Sequence, residues 1–214
     1  MWKNSTMWEF VLDILFPRFC VNCQREGSYL CEDCFSLIDI AEKQELPFCY
    51  CAASYENFIV KKLINQFKYE PFIKELAKPL SSLIIAHLIS SNKADSFKDY
   101  ILIPIPLYKK KLKQRGFNQS AEIAKVLSKN LMIPVFDDVL IKIKQTPPQV
   151  ELKKEQRQEN IKGSFFCQKP EIIRGRKILL VDDIYTTGST IEEGRRALMD
   201  VGAKEVWGVV AAHG

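Results

Sequence analysis

The sequence predicts an α/β protein: a mostly parallel sheet flanked by helices, with a small cysteine-rich module ahead of it. Three observations carry that expectation. Short apolar, β-branched runs at residues 100–104, 177–181 and 206–212 read as buried strands. Segments of helical period fall between them, such as 119–131 with Ile123, Ala124, Leu127 and Leu131 on one face. Strands alternating with helices favour a parallel sheet covered on both sides. Ahead of all this, Cys20-Val-Asn-Cys23 and Cys31-Glu-Asp-Cys34 repeat one spacing.

Composition bounds the class. The chain has 214 residues, enough for one medium domain or a larger domain with an appendage. Hydrophobic residues at 47% and charged residues at 27% are ordinary for a globular protein, which argues against a disordered or fibrous one. No apolar run reaches the ~20 residues that span a bilayer. Residues 8–16 are apolar, but Glu9 and Asp13 interrupt them and no small-residue cleavage site follows, so no signal peptide is expected. That stretch reads as a short helix packing on the domain or as an aromatic face resting on a membrane surface. The seven cysteines are then expected in a reducing compartment, where metal binding is favoured over disulfides.

The elements follow in order. Residues 1–18 read as a helix ended at Pro17, 19–36 as the cysteine module, and 37–47 as a polar connector. The larger domain is expected from about Ala52. Phe58, Lys62, Ile64 and Phe67 fit one helix, and 72–89 another with a kink or break at Pro79. After the strand at 100–104 comes a loop in which Lys109, Lys110, Lys111, Lys113 and Arg115 crowd together with no acid among them. Such a run is a solvated loop, or a guide for an anion where a phosphate site lies beside it. Residues 139–143 alternate and read as a strand, and 146–160 as a long polar loop or a loop with a helical piece. Residues 188–201 read as a helix stopped by Gly202.

The richest segment is Leu179-Leu-Val-Asp182-Asp183-Ile-Tyr-Thr186-Thr187-Gly188-Ser189-Thr190. A buried strand ends in two carboxylates, a loop of hydroxyl residues follows, and a helix begins. Ligands of open α/β sheets bind at the carboxyl ends of strands, and a helix N-terminus suits a phosphate. Thr186, Thr187, Ser189 and Thr190 add hydroxyl donors, and Gly188 lets the backbone come close to an anion. Asp182 and Asp183 would repel a phosphate; they suit sugar hydroxyls or a shared metal. One helix cap needs one residue, so capping alone does not account for the segment. The residues point to a phosphorylated sugar.

The paired cysteines make two knuckles that can close a tetrahedral sulfur site for zinc from Cys20, Cys23, Cys31 and Cys34. Four thiolates leave no open position, so the site reads as structural. Cys49 and Cys51, one residue apart, read as core cysteines or as alternative ligands, and Cys167 as packing. Arg115-Gly-Phe117-Asn118-Gln119 reads as a helix entry, with Asn118 as cap and Phe117 as staple, and it sets Arg115 at the mouth of the phosphate site.

Residues 179–190 closely resemble the phosphoribosyl pyrophosphate motif of the type I phosphoribosyltransferases. That resemblance implies ribose hydroxyls on Asp182 and Asp183, with Asp183 as a candidate base. It implies a 5′-phosphate on Thr186, Thr187, Gly188, Ser189 and Thr190, and pyrophosphate with Mg2+ at the loop of Pro106 and Leu107. The whole chain is similar to the ComF family. The paired cysteines, Phe67-Lys68-Tyr69, Ile103-Pro-Ile-Pro-Leu107, Arg115-Gly-Phe-Asn-Gln119, Thr146-x-x-Gln149-x-x-Leu152 with Arg157 and Asn160, and Val181–Gly188 carry the likeness in the family's order. The resemblance implies a module at 1–47 with zinc and a phosphoribosyltransferase-like domain at 48–214. It also implies a role in natural competence, the uptake of single-stranded DNA, alongside DNA-uptake proteins. The expected location is the cytoplasm, in some members against the inner face of the membrane. Lys109, Lys110, Lys111, Lys113 and Arg115 are candidates for the nucleic acid, as basic residues beside aromatics bind single strands. The chain departs from many members at Cys49-Tyr-Cys51-Ala, where they carry a further C-x-x-C-Gly.

Overall fold

The computed structural model describes residues 16–42, 46–145 and 161–214. The readings made for residues 1–15 and 146–160 lie outside the described residues. A short helix α1 (Glu32–Phe35) carries the second cysteine pair. Then follow β1 (Cys49–Ser54), α2 (Phe58–Lys68), α3 (Ala77–Ser90), β2 (Tyr100–Pro104), α4 (Lys109–Arg115) and α5 (Gln119–Leu131). The chain continues through β3 (Leu140–Lys142), β4 (Phe165–Cys167), α6 (Pro170–Ile173), β5 (Lys177–Tyr185), α7 (Ser189–Met199) and β6 (Glu205–His213).

The three apolar runs lie in one parallel sheet ordered β1-β6-β5-β2. Its central strand β5 alternates: Leu179 and Val181 join the core beneath α2, α3 and α5, while Ile178 and Leu180 join the core beneath α7. Both faces are therefore buried, and neither shows a polar stripe. Side chains of Cys20, Cys31, Cys34 and Ile38 share the first of these cores with Leu63, Leu80 and Ile84. The cysteine module thus packs directly on the face that carries α2 and α3. Asn57 caps α2 by accepting from the backbone N–H groups of Ile59 and Val60. Among the described residues, no helix is long and apolar enough to cross a membrane.

Four expectations change. A strand, β1, forms at Cys49–Ser54, where the sequence reading assigned no element. Cys-Tyr-Cys-Ala-Ala-Ser lacks the β-branched signature of a strand, and burial against α3 and β6 makes it one. Pro79 does not kink its helix. It is the third residue of α3, where a backbone N–H has no intrahelical acceptor to lose. The basic run at 109–115 is a helix, closed by Gly116 in the left-handed region. The strand read at 139–143 is real, but it pairs antiparallel with β4, outside the main sheet, and β4 itself had no sequence signal.

Candidate functional site

The site arises where two neighbouring strands stop at different heights. The β2–β5 register ends at Pro104 opposite Val181, while β5 continues to Tyr185 alongside β6. The gap is a cleft of about 470 Å³ at the carboxyl end of the sheet. That volume suits a small-molecule site. Asp182, Asp183 and residues 186–190 line it, with Pro106, Leu107, Lys111 and Arg115 opposite. The loop after β2 is tied down twice: Ile105 N–H donates to the Val181 carbonyl at 2.9 Å, and Asn118 Nδ2 donates to the Ile105 carbonyl at 3.0 Å. Helical periodicity divides the basic run. Lys111 and Arg115, four apart, face the cleft, while Lys109, Lys110 and Lys113 stand in solvent.

The two carboxylates are held differently. Asp183 is 4% exposed and forms an ion pair of 2.8 Å with Lys68 of α2. Asp182 accepts from Ser120 Oγ at 2.8 Å and from the Asp183 backbone N–H at 2.9 Å. Burial pushes the Asp182 carboxyl up to about 7, and the neighbouring charge of Asp183 adds to this, while Lys68 and the two hydrogen bonds oppose it. Its side chain is half-buried and borders the cleft. Lys142 of β3 also reaches the cleft. Burial, then the charge of Lys111, brings its ammonium down to about 8.

Beyond the acids, the chain turns into α7. Gly188 caps that helix at φ +79°, and a Cβ there would overlap the Tyr185 hydroxyl, so the turn needs glycine for both backbone and space. Thr187 Oγ1 and Ser189 Oγ lie 2.9 Å apart at the helix N-terminus. The Arg115–Gln119 segment serves the site as well as the helix. Arg115 donates to Gln119 Oε1 at 3.0 Å, and Gln119 Nε2 donates to the Phe67 carbonyl at 3.0 Å. Asn118 caps α5 through the Ser120 N–H, and Phe117 packs on Phe67.

Lys68, Ser120 and Lys142 were not read as parts of the sugar and phosphate site. Lys68 belongs to the Phe67-Lys68-Tyr69 segment, quoted for family likeness with no role attached. Lys142 ends the short strand β3, with no motif around it. Nothing local marks Ser120: its partner Asp182 lies 62 residues away.

The four cysteines of the module converge. Their Sγ atoms all lie within 4.8 Å of one another, and Cys23 and Cys31 are 3.5 Å apart. A tetrahedral zinc with Zn–S bonds of about 2.3 Å separates its sulfurs by roughly 3.8 Å. A disulfide would bring two of them to about 2.0 Å. The cluster therefore fits a metal. Burial opposes the Cys20 thiolate, but backbone N–H groups of Cys31, Cys23 and Asn22 outweigh it and bring the thiol down to about 6. Asn22 Nδ2 also donates to Cys34 Sγ at 3.4 Å. Cys49 is buried in the core under α7, and Cys51 is half-buried on β1, so neither joins the cluster.

The phosphoribosyl transferase domain family matches residues 117–213, the stretch from α5 to the end of β6. Competence protein F of Haemophilus influenzae is 28% identical over 226 residues, covering 90% of this chain and 96% of that protein. The DNA utilization protein YhgH of Escherichia coli O157:H7 is 32% identical over 149 residues, 68% of this chain and 64% of its own length. Competence protein ComFC of Bacillus subtilis is 27% identical over 156 residues, 69% of this chain and 62% of its own. The sheet and the cleft at its carboxyl end, taken with the domain match, make this a protein of the phosphoribosyltransferase fold. Within that class, the relatives make it a homologue of competence protein F, ComFC and the DNA utilization protein YhgH.

Proposed function

We propose that the chain binds phosphoribosyl pyrophosphate with Mg2+ in this cleft and acts in natural competence, handling incoming single-stranded DNA on the cytoplasmic side. The observation that carries the reading is the acid pair ending β5 directly before the Gly188 turn and the N-terminus of α7. Asp182 and Asp183 take the ribose hydroxyls. Thr186, Thr187, Gly188, Ser189 and Thr190 take the 5′-phosphate on free backbone N–H groups. Pro106, Leu107 and Arg115 border the pyrophosphate, with Lys111 and Lys142 adding positive charge. Magnesium, when bound, neutralises the pyrophosphate, and the acid pair with the pyrophosphate oxygens supplies hard oxygen ligands for it.

Zinc in the Cys20, Cys23, Cys31 and Cys34 cluster has a structural role in this reading. The module and the solvent face of α4, with Lys109, Lys110 and Lys113, supply the surface for single-stranded DNA. In this reading DNA-uptake proteins are the partners, at the inner face of the cytoplasmic membrane. A second reading, turnover of the sugar with an acceptor, is favoured by one observation. Asp182, brought to about 7, exchanges a proton near neutrality beside the reacting sugar. Asp183, the base expected from sequence, is tied to Lys68 and suits an anchoring role in the empty site.

Calorimetric titration of the zinc-loaded protein with Mg2+ and phosphoribosyl pyrophosphate tests the first reading. Saturable binding that disappears in the Asp182→Ala/Asp183→Ala protein is expected. Equal affinity in that variant would move the sugar site elsewhere, and no binding by the wild type would refute the reading.

A further inference from the structure

Glu193 is a buried acid to which the proposed chemistry gives no task. It lies on α7 one turn beyond Ser189, with Ser189 3% and Glu193 6% exposed. Its Oε1 accepts from the Gly163 backbone N–H at 2.6 Å. Arg196 grips the same carboxylate twice, from Nε at 2.9 Å and from Nη2 at 2.7 Å. The Arg196 bonds, helped by the Gly163 N–H, hold the carboxyl below its usual range against burial, so it is a charged acceptor at neutral pH.

Gly163 leads into β4. Strands β3 and β4 form their own two-stranded sheet, apart from the main one. Within it Lys142 pairs directly with Phe165, and the Lys142 ammonium lies 5.3 Å from the centre of the Phe165 ring. One step further, the Ile143 N–H donates to the Ser164 carbonyl at 2.8 Å. Glu193 thus takes hold of β4 two residues before the cross-strand partner of Lys142. Ile161, Phe165 and Cys167 also share a core with Ile191 and Leu198 of α7. That apolar packing draws the strand pair onto the helix but is non-directional. The bond from Gly163 to Glu193 is directional, and it sets where along α7 the pair sits. The placing matters because Lys142 reaches the cleft, close enough to Lys111 and Asp182 for their charges to act on it.

We infer that Glu193 is a positioning residue: it fixes the β3–β4 pair to α7 at Gly163 and so holds Lys142 in the cleft to meet the diphosphate arm of the ligand. Helix α7 is then a common frame. Its first residue belongs to the phosphate turn, and its second turn sets the lysine. The inference rests on the cleft being a site for phosphoribosyl pyrophosphate.

The test is calorimetry on the full-length, zinc-loaded protein with Mg2+ and three probes: phosphoribosyl pyrophosphate, inorganic pyrophosphate, and ribose 5-phosphate, which has no diphosphate arm. Lys142→Met should weaken both diphosphates roughly 10- to 100-fold, through one lost charged hydrogen bond, and leave ribose 5-phosphate within about twofold. Glu193→Ala should show the same selectivity, with a loss of about tenfold. Glu193→Gln keeps an oxygen for the Gly163 N–H and should stay within about threefold of the wild type on all probes. Added to Lys142→Met, Glu193→Ala should cost nothing further, because its effect passes through the lysine. Equal losses on pyrophosphate and ribose 5-phosphate would give Glu193 a general structural role and overturn the inference. Unchanged pyrophosphate binding in Glu193→Ala, a glutamine variant as weak as the alanine one, or losses that multiply in the double variant also overturn it. Should Glu193→Ala not fold, Arg196→Met at an exposed position loosens the carboxylate instead. A smaller loss confined to the diphosphates then supports the inference, and an unselective or absent loss overturns it. A wild type that binds phosphoribosyl pyrophosphate as well as Lys142→Met does overturns this inference alone. A wild type that binds none overturns both.

Discussion

Replacing Lys68 with methionine isolates what holds the acid pair together. The Lys68 ammonium lies 2.8 Å from Asp183, with side chains 19% and 5% exposed. At an effective dielectric of about 20, that separation corresponds to roughly 6 kcal/mol of attraction, most of which repays the desolvation of the two ions. The net worth of the pair is therefore small, but the cost of breaking it is not. Methionine fills a similar volume and leaves Asp183 buried and unpaired, beside a second acid. Loss of one partner of a buried pair costs about 3–5 kcal/mol. Because Lys68 keeps some access to solvent, the lower part of that range is expected. Urea unfolding of the zinc-loaded protein at neutral pH measures it. Lys68→Met should lower the midpoint strongly, and adding Asp183→Asn should recover most of the loss, because the stranded charge is then gone. A single variant costing under about 1 kcal/mol, or a double variant as unstable as the single one, would refute the ion pair as the element that keeps Asp183 in place.

Three further outcomes follow from the same geometry. Asp182 is raised to about 7, so the folded protein holds a proton that the unfolded chain releases near 4; its contribution to stability is fully present below that and falls as pH rises toward 7. Ligand affinity has the opposite sign. Sugar hydroxyls and magnesium need the carboxylate, so affinity for Mg2+ and phosphoribosyl pyrophosphate should rise by at most tenfold per pH unit up to about 7, and fall again above about 8 as Lys142 loses its charge. Titrations in matched buffers check this, with Asp183, Lys68 and Ser120 as the groups facing Asp182; a flat profile would place the carboxylate outside the binding step. Gly188→Ala should cost about 1–2 kcal/mol for a left-handed alanine, and more for displacing Tyr185. Its unfolding midpoint and ligand affinity should both drop, and retention of both would show that the turn can open without harm. Cys20→Ser should release the metal and loosen the module, since structural zinc supplies on the order of 10 kcal/mol to small modules. Elemental analysis of the purified variant tests it, and unchanged zinc content would assign the metal to other ligands.

Local chemistry was legible in the sequence where it is written in consecutive residues. Val181 to Thr190 and the two cysteine pairs each contain their own geometry, because a strand end, a turn or a knuckle fixes neighbours within a few positions. Strand β1 was hidden because its Cys-Tyr-Cys-Ala-Ala-Ser run owes its form to burial between β6 and α3. The division of the basic run required knowing that it is a helix. Once it is, a spacing of four separates Lys111 and Arg115 from Lys109, Lys110 and Lys113. Lys68 and Ser120 were harder still. Each meets its acid across more than sixty residues, and only the packing of α2 and α5 on β5 brings them together.

That long-range pairing explains how two adjacent acids persist at the end of a buried strand. Two like charges side by side in a cleft are costly, and this chain relieves each by a different means. Asp183 is neutralised by an ammonium from α2. Asp182 is raised to about 7, so near neutral pH a proton offsets part of its charge, with Ser120 and a backbone N–H holding its oxygen in place. The acid pair together with Lys68 thus carries little net charge, while Lys111, Arg115 and Lys142 keep the rest of the cleft basic. On the proposed reading, filling it exchanges both arrangements. Sugar hydroxyls would donate to Asp183 as Lys68 turns toward the anionic ligand, and Asp182 would give up its proton to accept from the sugar or to help hold magnesium. The exchange links proton release to binding, at about half a proton per ligand at pH 7 and approaching one at lower pH. Buffers of differing ionisation enthalpy would measure that release in the same calorimeter. Finding none would mean that Asp182 keeps its proton and serves as a donor to the sugar.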